Sequence, residues 1–271
     1  MRKYIKDELD FEPVSKVTSD KELGVIDHKE IQIELPSDLT TKYLKGDEFA
    51  SPKSFIIIIS GGQSREPDYF SIIERNSKIF DRIKLSIITE DSYNKNHEPR
   101  LFEVAKKKVA YYKTSESKDN PDEFYIISDV DVVFYPHLIN NLPFCRSENI
   151  KLIISNPCFE VWLYYSQCDD KFDGFIEPLD QTKLSHEVKK WNSTLNNGGG
   201  INTKKAIFNL EQNIKNAKKN YTVDSNGIPT KFATNMFVLG EDIYPIIKDG
   251  LEYIIKKNQE RAALYKKQNP E

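Results

Sequence analysis

Apolar residues first cluster along this chain at Phe55–Ile59, a β-branched run apolar on both faces and too short for a helix. Such a run predicts a buried strand of a parallel sheet. A glycine-containing turn, Ser60–Ser64, follows, and Glu66–Ile79 then reads as a helix that carries Pro67 in its first turn. The alternation repeats. Ile83–Thr89 predicts a second strand and Arg100–Tyr112 a helix with basic Lys106–Lys108. Phe124–Ser128 predicts a third strand, ending in Asp129 and Asp131, with a short helix after Pro136. Lys151–Ser155 predicts a fourth strand, running through Asn156 and Pro157 into a helix that lasts to Ser166. Strands alternating with helices imply an α/β fold, with a largely parallel sheet covered on both faces.

The pattern changes after about residue 170. Gln181–Lys190 and Ile201–Lys219 read as helices separated by Asn196–Gly200. A loop at Asp224–Pro229 precedes a last helical stretch, Thr230–Lys267, with expected breaks near Gly240 or Pro245. The expected organisation is an N-terminal arm over residues 1–50, with an edge strand at Ile31–Leu35. An α/β core over 51–170 and a helical, partly Lys-rich region over 171–271 complete it.

Composition narrows the class. The 271 residues carry 39 Lys and Arg against 42 Asp and Glu, a formal charge of -3, which excludes a uniformly basic nucleic-acid coat. A local basic patch remains open, because binding responds to the local field. Residues 183–219 supply one, with eight Lys and two Glu; Lys183, Lys189, Lys190, Lys204 and Lys205 are candidate contacts to a phosphate backbone, the alternative being a solvated helical face. Three cysteines, Cys145, Cys158 and Cys168, neither form a disulfide framework nor match a zinc motif. No apolar run approaches the ~20 residues that span a bilayer. A soluble, cytoplasmic protein with no membrane partner is therefore expected.

The candidate chemistry is carboxylate chemistry. Asp129 and Asp131, two apart on an extended chain, point to the same side at the end of a buried strand. Hard cations such as Mg²⁺ take a few carboxylates plus water and phosphate oxygens. Glu66 opens a helix after the first strand, and Glu160 follows the fourth. Each also has a plain alternative as a helix-end carboxylate. Glu90 and Asp91 fall after the second strand, on the same expected edge. No histidine is placed to activate Cys158 as a nucleophile.

Four segments in order carry a resemblance: Glu66-Pro-Asp-Tyr-Phe70, Asp129-x-Asp131, Ser155-Asn-Pro-Cys-Phe-Glu-Val-Trp162 and Pro229-Thr230. Together they resemble the RloB-like family, which belongs to the Toprim-like proteins, over roughly residues 54–250. The resemblance implies a Toprim-like, Rossmann-type core and Mg²⁺- or Mn²⁺-dependent cleavage of phosphodiesters. It also implies a bacterial anti-phage setting with an AAA or ABC-type ATPase as partner; a homo-oligomer is left open. Carried over, Asp129 and Asp131 match the metal-binding pair, and Glu66 and Glu160 match further acidic positions, Glu66 also near metal.

One departure stands out. The family's first strand ends in Glu-Gly, and that Glu position falls on Gly61 here, with Arg65 in place of a Thr before Glu66. Glycine cannot move a proton. Glu66 or Glu90 could supply the carboxylate. Alternatively, Arg65 favours an anionic ligand, and the chain is a degenerate scaffold that binds rather than cuts.

Overall fold

A computed structural model describes residues 56–60, 64–87, 100–114, 123–130, 134–171 and 181–268. The expected N-terminal arm and its edge strand lie outside these residues. All described residues fall within a single compact unit.

The elements are, in order, β1 (Ile56–Ser60), α1 (Arg65–Arg75), β2 (Ile83–Ile87), α2 (Leu101–Tyr112), β3 (Glu123–Asp129), α3 (Phe134–Ser147) and β4 (Ile150–Ser155). There follow α4 (Glu160–Tyr165), α5 (Gln181–Thr194), α6 (Thr203–Ala206), a 3₁₀ turn (Ile207–Asn209), α7 (Leu210–Lys219) and α8 (Met236–Gln268). The four strands form one parallel sheet, ordered β2-β1-β3-β4. The α/β class and the helical C-terminal region expected from the sequence are both present.

Alternate strand residues enter two cores, as a period of two requires. Ile56, Ile58, Tyr125, Ile127 and Ile153 face α1, α4, α5, α7 and α8. Ile57, Ile59, Phe124, Ile126 and Ile154 face α2 and α3. Both sheet faces are thus covered, which is why the strands read as continuous apolar runs. The chain steps from β1 outward to β2, then returns past β1 to β3. The strand order therefore reverses between β1 and β3. In open α/β sheets the crevice beyond the carboxyl ends of the strands at such a point is the natural ligand site.

Several boundaries differ from the sequence expectation: α1 ends at Arg75 and not at Ile79, and α3 begins at Phe134, before Pro136. The helix predicted over Ile201–Lys219 is split into α6, the 3₁₀ turn and α7. Residues 230–235 are not helical. They run antiparallel to the end of β4, with a bridge between Ser155 and Thr234. Asn235 completes the join: its Oδ1 accepts from Ile154 N at 2.5 Å and its Nδ2 donates to Leu152 O at 2.9 Å. From Met236 the helix then runs unbroken through Gly240 and Pro245. Pro245 removes one backbone donor. The buried stripe Leu239, Ile243, Ile247, Leu251 and Ile254 holds the helix to the sheet across that point. At the opposite sheet edge from Asp129, Lys151 Nζ lies 2.8 Å from Asp242 on α8 and 3.1 Å from Glu123. Tyr125 donates to both carboxylates.

Gly250 lets α8 approach closely. A Cβ there would lie 2.7 Å from Ile79 Cγ2 and closer still to the buried Phe80 ring. Gly250→Ala is therefore expected to lower stability by about 1–3 kcal/mol through overpacking, despite the better helix propensity of alanine. Urea unfolding checks this; a variant as stable as wild type would show that α8 does not depend on this approach.

Candidate active site at the carboxyl edge of the sheet

Four elements converge beyond the carboxyl ends of the strands. Helix α1 begins there with Arg65 and Glu66. Its third residue, Pro67, occupies a position whose N–H has no partner within the helix in any case. Strand β3 ends in Asp129 beside Ser155 of β4, and the chain leaves it through a Val130 N to Ser155 O bond of 2.9 Å. Helix α4 begins at Glu160.

Glu66 and Glu160 are both buried, at 7% and 5% exposure. Beneath them lies an aromatic layer. The Tyr69 ring meets Phe159 edge-on at 5.6 Å and Trp162 at 6.4 Å. This surrounding is costly for a carboxylate. Burial, with the Glu160 charge adding to it, outweighs a bond from the backbone N–H and the pull of Lys189, and pushes Glu66 up to about 7.

Cations answer the buried acids. Arg65 Nε lies 3.6 Å from Glu160 Oε1, while its Nη1 donates to Thr203 Oγ1 of α6 at 3.1 Å. Lys189 is the second. Desolvation opposes its charge, but Glu160, Asp129 and Glu66 overcome that and hold it above its usual range. The residue itself is exposed.

Helix α4 has six residues and is held from outside. Asn192 Nδ2 of α5 donates to Glu160 O at 2.7 Å, and Asn216 Nδ2 of α7 to Tyr165 O at 2.8 Å. Asn209 Nδ2 reaches Ser166 O at 3.4 Å and Asn220 Nδ2 reaches Asp169 O at 3.0 Å. Amides from the C-terminal region thus hold the start, the end and the exit of this short helix. The late segment joins in: Asn156 Nδ2 donates to Pro229 O at 2.7 Å and Tyr165 Oη to Phe232 O at 2.7 Å.

The structure therefore brings Arg65, Glu66, Asp129, Glu160 and Lys189 to one edge. Asp131, Gly61, Glu90 and Asp91 lie outside the described residues. Lys190 pairs with Glu187 on its own helix at 3.9 Å, and Lys204 with Asp68 at 3.3 Å. Lys183 and Lys205 are exposed. Cys158 is buried, and burial, reinforced by Glu160 and Asp129, raises its thiol well above the usual range, which suits packing and not nucleophilic attack. Sequence reasoning missed the asparagine contacts and Thr203. Only the spacing of Ser185, Lys189 and Asn192 along one helix face hinted that α5 turns toward the acids.

The oxygen donors are of the kind Mg²⁺ takes. Among the described residues, no group of three or more His, Cys, Asp or Glu is placed to hold a metal ion.

A parallel α/β sheet with buried carboxylates beyond its strand ends, at the point where strand order reverses, defines the class: a Rossmann-like α/β protein with an acidic candidate site. The family model for RloB-like protein matches residues 56–243, and the chain belongs to that family. No curated protein and no solved structure shows a significant match to it.

A folded-state value near 7 for Glu66, against 4.5 in the unfolded chain, has a definite sign. The folded state holds the proton more tightly, so this group's contribution is full below pH 4.5 and is lost as pH rises through 7. Glu66→Gln removes the loss. Its stability relative to wild type is expected to improve from pH 5 to pH 8 by on the order of 3 kcal/mol. Thermal unfolding at both pH values reads it; a pH-independent difference would mean that Glu66 ionises normally.

Proposed function

We propose that this protein is a metal-dependent nuclease that cleaves phosphodiester bonds in RNA or DNA. Its setting would be a bacterial anti-phage system under control of a partner AAA or ABC-type ATPase. The observation that carries the reading is the pair Glu66 and Glu160, buried together where the strand order reverses, with Glu66 poised near neutral pH. A carboxylate tuned near the working pH is suited to general base catalysis.

In this reading Glu66 takes the proton-handling role left vacant by Gly61 and accepts a proton from the attacking water. Asp129 and Asp131 would hold Mg²⁺ or Mn²⁺, which would neutralise phosphate charge and acidify a water when bound. Glu160, held by Arg65 and by the backbone contact from Asn192, orients the water or ligand. Lys183, Lys190, Lys204 and Lys205 would meet the phosphate backbone from the rim. No helix among the described residues is long and apolar enough to cross a membrane. A cytoplasmic site of action and a homo-oligomer belong to the same proposal.

The test is cleavage of plasmid, single-stranded DNA and total tRNA with Mg²⁺ or Mn²⁺, alone and with the neighbouring ATPase. Asp129→Ala/Asp131→Ala is expected to abolish cleavage. Glu66→Gln is expected to lower the rate by about 10²–10⁴-fold. Wild-type rate should rise with pH through about 7, following deprotonation of Glu66, and the variant should lose that limb.

Gly61 favours a second reading, a degenerate scaffold that binds an anionic ligand for the ATPase. No cleavage under any of these conditions, with cleavage appearing in Gly61→Glu, would establish that reading instead.

A further inference from the structure

Helix α8 outruns the body it packs on. Its buried stripe ends at Ile254, and the helix continues over Ile255–Gln268 with no buried residue among those described. A helix of that length without packing is marginal in water, where about 12–15 residues are the lower limit. The helix crosses the sheet on its way. It starts where Asn235 joins the end of β4, Asp242 meets Lys151 near the amino end of that strand, and Gly250 packs on Phe80 just before β2. The end beyond Ile254 therefore lies on the amino side of the sheet, away from Glu66 and Glu160.

That end is strongly basic. Residues 255–268 hold five Lys or Arg and one Glu, a net +4, while the whole chain carries -3, so the remainder stands at -7. At 3.6 residues per turn, Lys256, Lys257, Arg261 and Lys267 fall within roughly 140° of arc. Lys257 pairs with Glu260 at 3.1 Å. Lys256, Arg261 and Lys267 are exposed, with no carboxylate partner among the described residues. Leu264 sits in the same arc at 57% exposure, and Tyr265 beside it is 69% exposed. From Lys256 to Lys267 the helix axis advances about 16 Å. One strand of a duplex presents a phosphate about every 3.4 Å of axis, so the stripe matches roughly four or five in succession. A second copy presenting the same stripe would set cation against cation. A bilayer surface would ask for a broader apolar face than Leu264 and Tyr265 supply.

We propose that the basic end of α8 is a second nucleic-acid contact, which holds the phosphate backbone at a distance from the carboxylate site. The inference rests on the nucleic-acid reading above and extends it. This end contributes affinity and no chemistry: a strand long enough to reach both places is held at one and cut at the other. The contact is electrostatic, so it is indifferent to base sequence and weakens with salt.

The test is binding of labelled duplex DNA and of total tRNA to the full-length protein, by fluorescence polarisation over a range of salt, with divalent metal chelated so that nothing is cut. Wild type is compared with Lys256→Gln/Lys257→Gln/Arg261→Gln/Lys267→Gln and with Lys106→Gln/Lys107→Gln, which removes charge from α2 instead. Circular dichroism confirms that each is folded. The α8 variant is expected to lose affinity about tenfold or more at low salt, and its salt slope to become shallower by roughly 3, while the α2 variant matches wild type. Hydrogen exchange over 255–268 should slow when nucleic acid is added to wild type. An α8 variant that binds like wild type, with the same salt slope, would overturn the inference and leave the nuclease reading intact. Wild type that ignores nucleic acid, or that uses this end to bind phosphatidylserine vesicles or a second copy, would also overturn it; the cleavage assay judges the nuclease reading separately.

Discussion

Glu66 and Glu160 are buried against one another beyond the ends of the strands, and much of the surrounding architecture answers the cost of putting them there. Two carboxylates in an apolar setting cannot both stay ionised without compensation. This chain compensates in two ways: Arg65 and Lys189 bring positive charge to the pair, and Glu66 keeps a proton to about neutral pH. The cations arrive from different directions. Arg65 comes from the same helix as Glu66 and is steadied by Thr203, whereas Lys189 comes from a helix more than a hundred residues further along the chain.

Helix α4 shows why the C-terminal half is needed. Six residues cannot satisfy their own ends, and an isolated helix of that length is not stable. Asn192 of α5 and Asn216 of α7 donate to the carbonyls of Glu160 and Tyr165, and Tyr165 donates its hydroxyl to Phe232 O in the segment before α8. The position of Glu160 is thus an outcome of packing by three later elements. The same contacts aim α5 at the site. Holding the acid and delivering the cation are one structural arrangement.

How much of this was legible in the sequence varies with the range of the interaction. The four strands appear as short β-branched runs because both faces of the sheet are buried, and burial on two faces leaves no polar alternation to confuse the reading. The helices between them follow from periodicity. The unbroken course of α8 was not legible, because Pro245 is a local signal for a break and the buried stripe that overrides it acts through tertiary contact. Residues 230–235 misled in a similar way: their partner is β4, some eighty residues earlier. The lysines of 183–219 share one composition. The structure separates Lys189, whose charge the acids of the site favour, from Lys190 and Lys204, which pair with nearby carboxylates.

The sequence by itself determined the parallel α/β core, the family and the acidic character of the carboxyl edge, because strand pattern, motif order and residue type are local properties of the chain. Only the tertiary structure decided which acids are buried together, which cations balance them and which proton is held to neutrality. Those outcomes depend on desolvation and on distances between residues far apart in the chain. A change of a few ångströms in either alters the electrostatic balance without changing a single residue.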